Sequence, residues 1–336
     1  MSTLAVIIPA FKSKYLTQSL QSLADQSDKD FTVYVGDDAS PDDIASICER
    51  FADILNIKYT RFDSNLGAVT LMQHWERCIE LSADEPWIWI FSDDDIAHKH
   101  HVKAFRDALI STEEKYDIYR FDTQVIDDNN LVTFAEHPSP CIESFVDVCV
   151  ATMMENRVNN LPNTIFRRSK YKEIGGLVCF PYGQSADWAS IILLSRPNSI
   201  YTIPLIRFSW RYSPIGITWK AAHNKGTMVA GLFDFIEWIH IHILPTVALD
   251  RDYYRIYDAS FQCFIHTLIS HYRGILFTSF HRFRMVSIGC FGLSSVEIAY
   301  WFCLINLRQF FRVGRSFVRQ RLTRKSASLL PRSLST

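Results

Sequence analysis

The sequence contains no Gly-x-Gly-x-x-Gly turn after its first apolar run and no Gly-Lys-Ser or Gly-Lys-Thr loop. Both familiar glycine-built phosphate cradles are absent, which disfavours Rossmann dehydrogenases and P-loop enzymes. Its eight cysteines (48, 78, 141, 149, 179, 263, 290 and 303) form no Cys-x-x-Cys pair and no zinc-type spacing. They read as reduced core residues of a cytoplasmic protein. The opening MSTLAVIIPAF has no basic region and no small-residue cleavage site ahead of Lys12 and Lys14, so it reads as a buried strand and not a signal peptide. Residues 291–307 include Glu297 and fall short of the ~20 apolar residues a membrane span needs. No internal repeat or low-complexity linker is found.

Acidic residues are missing altogether after Glu297, where Arg308, Arg312, Arg315, Arg319, Arg321, Arg324, Lys325 and Arg332 follow. The whole chain carries −1, so these eight cations leave −9 on the rest. An acidic body with a cationic end favours an anionic surface, membrane or nucleic acid. Arg308, Arg312, Arg315 and Arg319 fall on one helical stripe, which suits an interfacial helix on an anionic inner membrane. A packed helix followed by a disordered basic tail is the competing reading. No RNA-binding signature accompanies the arginines, so no nucleic-acid partner is expected.

What is present is a large apolar complement, 48 % of 336 residues, enough for about two domains. LAVIIP (4–9), FTVYVG (31–36), IKYTRF (57–62) and WIWIF (87–91) read as strands. LTQSLQSLADQ (16–26) and VTLMQHWERCIEL (69–81) read as the helices between them, with SNLGA (64–68) a turn. Ser40 followed by Pro41, Asp42 and Asp43 predicts a capped helix start. Alternating strands and helices predict an α/β fold with a mostly parallel central sheet flanked by helices. DIYRFDTQVI (117–126) and NTIFRR (163–168) read as further strands, SADWASIILLSR (185–196) as an amphipathic helix, and the chain beyond 220 as helical.

Two acidic clusters fall at strand ends, Asp37-Asp38 after the second strand and Asp93-Asp94-Asp95 after the fourth. Ligands bind beyond the carboxyl ends of such strands, so two distant segments are expected to converge on one pocket. Without a glycine cradle, an acidic pocket can hold a diphosphate through Mg²⁺ or Mn²⁺, which needs only one or two carboxylates. The triplet has a plainer reading, a solvated loop or a helix N-cap, and Asp95 suits such a cap. HKHH (98–101) invites a zinc reading, but no fourth ligand is evident and a solvated or locally packed face is preferred.

Several stretches, in order, resemble glycosyltransferase family 2 of the GT-A fold: VIIPAF (6–11), SLADQ (22–26), VGDDAS (35–40), SNLGA (64–68), FSDDDI (91–96), IGGL (174–177) with SADWASIILLSR, and IPLIRFSWRYSPIGIT (203–218). The resemblance spans about 4–220. It implies a GT-A domain over 1–220, with a nucleotide-sugar half (1–105) and an acceptor half (106–220), followed by a helical extension at 221–336. Pro9 and Phe11 would border the base pocket, and Asp38, with Asp37 beside it, would contact the nucleobase or ribose. Asp94 would be the principal ligand of Mn²⁺ or Mg²⁺, with Asp93 reaching the ribose or a metal-bound water. Asp187 would be the general base of an inverting transfer; an ordinary solvated aspartate is the alternative. Arg211 is assigned to the diphosphate or to a structural ion pair. The chain departs from the family at Lys12, where Asn is frequent, and at Ala186, where Glu is common.

The implied function is transfer of a sugar from a nucleotide sugar, UDP-linked by expectation, to a saccharide or lipid-linked acceptor in surface polysaccharide synthesis. The implied location is cytoplasmic, peripheral to the inner face of the plasma membrane. The rivals are a nucleotidyltransferase, which AFKSKYLTQS (10–19) disfavours by lacking glycine, and an inactive sugar-nucleotide or polysaccharide-binding module.

Overall fold

The computed structural model describes residues 3–154, 158–180, 183–216, 219, 225–271 and 279–307. Strand and helix alternate through β1 (Leu4–Ala10), α1 (Leu16–Ala24), β2 (Phe31–Asp37), α2 (Ile44–Glu49), β3 (Ile57–Arg61), α3 (Leu71–Glu80) and β4 (Trp87–Ile90). Along β1 the side chains alternate between two cores. Leu4, Val6 and Ile8 enter one with Leu16 and Leu20 of α1, whereas Ala5 and Ile7 enter the other with Cys78 and Ile79 of α3. A strand covered on both faces needs apolar residues at every position, which is why LAVII is an unbroken run.

These four strands pair in parallel in the order β3-β2-β1-β4. The chain then runs through α4 (His101–Ser111), β5 (Ile118–Ile126), β6 (Val132–Ala135), β7 (Ile142–Glu143), α5 (Phe145–Met153), β8 (Thr164–Arg167), α6 (Arg168–Glu173), α7 (Ala186–Leu194) and β9 (Ile200–Arg211). β8 enters antiparallel beside β4, β5 lies antiparallel to β8, and β9 runs parallel to β5. The nine-stranded sheet is therefore mixed, with its parallel half built from the strands that carry the acidic corners.

Two expected caps are replaced. Asp43, not Ser40, caps α2, accepting from the Ser46 N–H at 3.1 Å. The Ser40 hydroxyl instead donates to the Phe11 carbonyl at 2.7 Å, tying the corner after β2 to the corner after β1. Asp95 caps nothing, because α4 starts at His101 with His100 as its cap residue.

The last helices are α8 (Lys225–Trp238), α9 (Arg251–His271), α10 (Phe280–Phe291) and α11 (Ser295–Leu307). Phe233, Ile236, Phe264, Phe283 and Ile298 from these helices share the core that receives Ala5 and Ile7. The apolar stretch Gly226–Thr246 has the length and composition to cross a membrane, yet 56 % of its most apolar window is buried inside the protein. Of the cysteines, 48, 78, 149 and 263 are buried as expected, while 141, 179 and 303 are exposed. The basic residues from Arg308 onward lie outside the described residues.

Candidate active site

A cavity of about 770 Å³ opens beyond the carboxyl ends of β1, β2 and β4. Pro9, Phe11, Asp38, Asp93, Asp94, Asp187 and Arg211 all line it, and Asp37 does not. The convergence predicted from strand ends is thus present, with Asp37 and Asp95 turned away.

Asp37 is fully buried and its carboxylate accepts from the Ser40 N–H (2.8 Å), the Tyr59 hydroxyl (2.6 Å) and the Arg61 guanidinium (2.7 Å). The donor contact expected of Asp37 does not follow from this geometry, which makes it a brace of the β2 corner. Asp38 faces the cavity and accepts from the Leu66 N–H at 2.8 Å and the Gly67 N–H at 2.9 Å, while pairing with Arg77. The SNLGA turn therefore serves to aim two amides at this carboxylate. Burial lowers the His74 pKa to about 4, and its Nδ1 accepts from Arg77 Nε at 3.1 Å. His74 is neutral, and Arg77 is the charge that balances Asp38.

After β4, Asp93 Oδ2 accepts from the backbone N–H groups of Phe11 (3.0 Å) and Lys12 (2.9 Å). Lys12 Nζ stands 3.2 Å from Asp93 Oδ1 and 2.8 Å from Asp94 Oδ2. Burial, and then the Asp93 charge, raise the Asp94 pKa, with Lys12 opposing. Asp95 is fully buried, its Oδ1 accepting from the Arg211 N–H at 2.8 Å, and burial followed by Asp94 pushes its pKa well up. The triplet thus divides into a bridge to β1, a cavity carboxylate and a buried anchor for β9.

Arg211 Nε donates to the Asp94 carbonyl (2.7 Å), Nη1 to the Asp127 carbonyl (2.6 Å), and Nη2 to Gln18 (3.0 Å) and Asn130 (2.6 Å). Its guanidinium also covers the Tyr15 ring at 4.2 Å from the centroid. Four of its five N–H donors are committed to neutral acceptors. In place of a structural ion pair Arg211 forms a staple that fixes the Asp93–Asp95 corner while still lining the cavity.

Asp187 lies in the first turn of α7, after Ser185 in the left-handed conformation at φ 60°. Its Oδ1 accepts from the Trp188 N–H at 2.9 Å. Burial raises its pKa from the ordinary 3.8 to about 7, the Trp188 hydrogen bond opposing. Its carboxyl keeps a partial opening toward the cavity. A carboxylate that is half ionised near neutrality is suited to take a proton.

Among the described residues no three His, Cys, Asp or Glu side chains converge, so neither HKHH nor the triplet forms a closed metal cage. His101 is fully buried, stacked on Trp89 with ring centroids 5.6 Å apart. The Asp93–Asp94 pair does seat a cation, the Lys12 ammonium, between its oxygens. Two hard carboxylates suit Mg²⁺ or Mn²⁺ provided water and phosphate oxygens complete the shell.

Sequence reasoning missed Arg77 and the aromatic wall of Trp75, Trp188, Trp210, Tyr212 and Trp219. Trp188 follows Asp187 and Trp210 precedes Arg211, so adjacency to the motifs was the available signal.

Comparison with known proteins bears on the family and the fold. The profile of the family described as Glycosyl transferase family 2 matches residues 5–178. Poly(ribitol-phosphate) beta-N-acetylglucosaminyltransferase TarS, from two Staphylococcus aureus strains, Mu50 and MW2, is 39 % identical over 107 residues. That match covers 31 % of this chain but spans only 18 % of the length of the relatives. Crystal structures of S. aureus TarS 1-349 alone and in complex with UDP-GlcNAc resemble the fold with TM-scores of 0.51 and 0.53. Both are 17 % identical and cover 87 % of this chain and 89 % of theirs. Since the profile matches more than half of its residues, the chain belongs to glycosyltransferase family 2.

Proposed function

We propose that this chain moves a sugar from a UDP-linked donor to a hydroxyl of a saccharide or lipid-linked acceptor, with inversion, in surface polysaccharide synthesis. The observation that carries the reading is a single cavity that holds Asp38, Asp93 and Asp94 together with Asp187, whose pKa stands at about 7. The UDP assignment draws support from the relatives, one of which is a structure in complex with UDP-GlcNAc.

In this mechanism Asp187 accepts the acceptor hydroxyl proton as that oxygen bonds to the anomeric carbon and the bond to the diphosphate oxygen breaks. Asp38, held by the 64–68 turn and Arg77, positions the nucleoside. Pro9 and Phe11 border it, and the tryptophans exclude water around the sugar. Asp94, assisted by Asp93, would hold Mg²⁺ or Mn²⁺, which when bound neutralises charge on the departing diphosphate. One displacement turns an α-linked donor into a β-linked product. Proton NMR of the product made from a UDP-α-sugar tests this, and an α-linked product overturns the single displacement.

Gly67→Ala tests the role of Asp38. A Cβ there would stand 2.6 Å from Asp38 Oδ2, which amides and Arg77 already pin. Displacing the carboxylate by a fraction of an ångström is expected to weaken UDP binding roughly tenfold in calorimetry. Unchanged affinity would remove Asp38 from the donor site.

The proposed location is cytoplasmic and peripheral to the inner face of the plasma membrane. In its support, Val296, Tyr300 and Leu307 of α11 are exposed just before the cationic segment. Deleting 308–336 is expected to shift the protein from the membrane pellet to the soluble fraction, and an unchanged distribution counts against it.

A further inference from the structure

The cavity has two permanently charged cations among its described lining residues, Lys12 and Arg211. They are held very differently. Arg211 is stapled to main-chain carbonyls and to Gln18 and Asn130. Lys12 Nζ is held by the two carboxylates alone, 3.2 Å from Asp93 Oδ1 and donating to Asp94 Oδ2 at 2.8 Å. Its backbone is fixed by the Lys12 N–H bond to Asp93 Oδ2, so the four-carbon stem swings from an anchored root. Burial works against the ammonium charge, but Asp93 and Asp94 outweigh it and hold the pKa of Lys12 above its ordinary value. The side chain is a cation at every working pH.

The Asp94 oxygen that Lys12 occupies belongs to the carboxylate assigned above to the divalent ion. A dication placed on Asp94 repels the ammonium, and a diphosphate arriving with it offers Lys12 a new anion within the same cavity. We propose that Lys12 is an exchanging counter-ion: it occupies Asp94 in the free enzyme, competes there with the divalent cation, and passes to the donor diphosphate when the cation binds. The arrangement explains why a chain of this family carries Lys at position 12. It offsets part of the charge of two adjacent buried carboxylates between turnovers and couples cation binding to donor binding. This inference rests on the donor-site reading given above.

The test uses the full chain, wild type against Lys12→Met, with Lys12→Gln as a second neutral variant, each checked for an unchanged thermal midpoint. Free Mn²⁺ is followed by electron paramagnetic resonance without nucleotide, and UDP binding by calorimetry at saturating Mn²⁺. With the competitor removed, Mn²⁺ is expected to bind about tenfold more tightly, while UDP binds about tenfold more weakly. Unchanged or weaker Mn²⁺ binding in the folded variants overturns the competition. Unchanged UDP affinity overturns the transfer to diphosphate. Wild-type protein that binds neither Mn²⁺ nor UDP sinks the donor-site reading itself, a result separate from either of these.

Discussion

Asp187→Asn is expected to lose sugar transfer and to make the protein more stable at pH 8. Loss of a general base costs typically 10²–10⁴-fold, so a residual rate of about 1 % or less is predicted at saturating donor. Donor affinity is expected to stay within about twofold, because Asp187 acts on the acceptor hydroxyl. In the wild type, the rate should climb with pH through an apparent pKa near 7, since only the ionised carboxylate accepts the proton. The stability effect has the opposite sign. Between the ordinary 3.8 and about 7, folded Asp187 holds a proton that the unfolded chain releases. Stability therefore falls as pH rises through that window, and the cost is complete above it. Asparagine carries no charge to desolvate and escapes this cost, roughly 2–4 kcal/mol at pH 8. Thermal melts at pH 4 and pH 8 should show little difference at the first and a clear gain for Asp187→Asn at the second. Full transfer activity in Asp187→Asn would remove it as the base.

Asp94→Asn carries the second large effect. Its carboxylate faces the cavity, is buried, and shares Lys12 with Asp93. Removing one charge while keeping the shape is expected to abolish stimulation by Mn²⁺ and cut transfer about a hundredfold. The fold should survive, because burial and Asp93 already push the Asp94 pKa up and neutralising it relieves repulsion. A variant that keeps the wild-type Mn²⁺ response shows that the cation, if used, is held elsewhere. The same substitution at Asp95 is predicted to act through folding, since Asp95 anchors the Arg211 N–H and does not line the cavity.

The half of the fold that carries the site was legible because its physics is local. Buried parallel strands write themselves as LAVII and WIWI, and acidic residues directly after such runs must stand at strand ends. The antiparallel half was less legible: β6 is exposed along its length and β7 has only two residues, so neither leaves an apolar signature. Within the site, Asp38, Asp93, Asp94 and Asp187 were found from sequence and meet in one cavity. Asp37 was misplaced because adjacent strand residues point to opposite sides, and one partner of the pair had to turn toward Tyr59 and Arg61. The staple made by Arg211 was not legible because its acceptors, at positions 18, 94, 127 and 130, are brought together only by the tertiary fold. Ser40 and Asp43 both have capping chemistry; Ser40 accepts from the Asp42 N–H at 3.0 Å ahead of the helix, but α2 begins only at Ile44, where Asp43 is the adjoining cap.

The most direct measurement is nucleoside diphosphate release by the purified chain with Mn²⁺ across a panel of UDP-, GDP-, CDP- and dTDP-linked sugars, UDP-GlcNAc included. The expected result is release of UDP from a UDP-linked donor, enhanced by an acceptor saccharide and lost in both Asp94→Asn and Asp187→Asn. Neither binding nor turnover with any donor in the panel would contradict the proposed transfer.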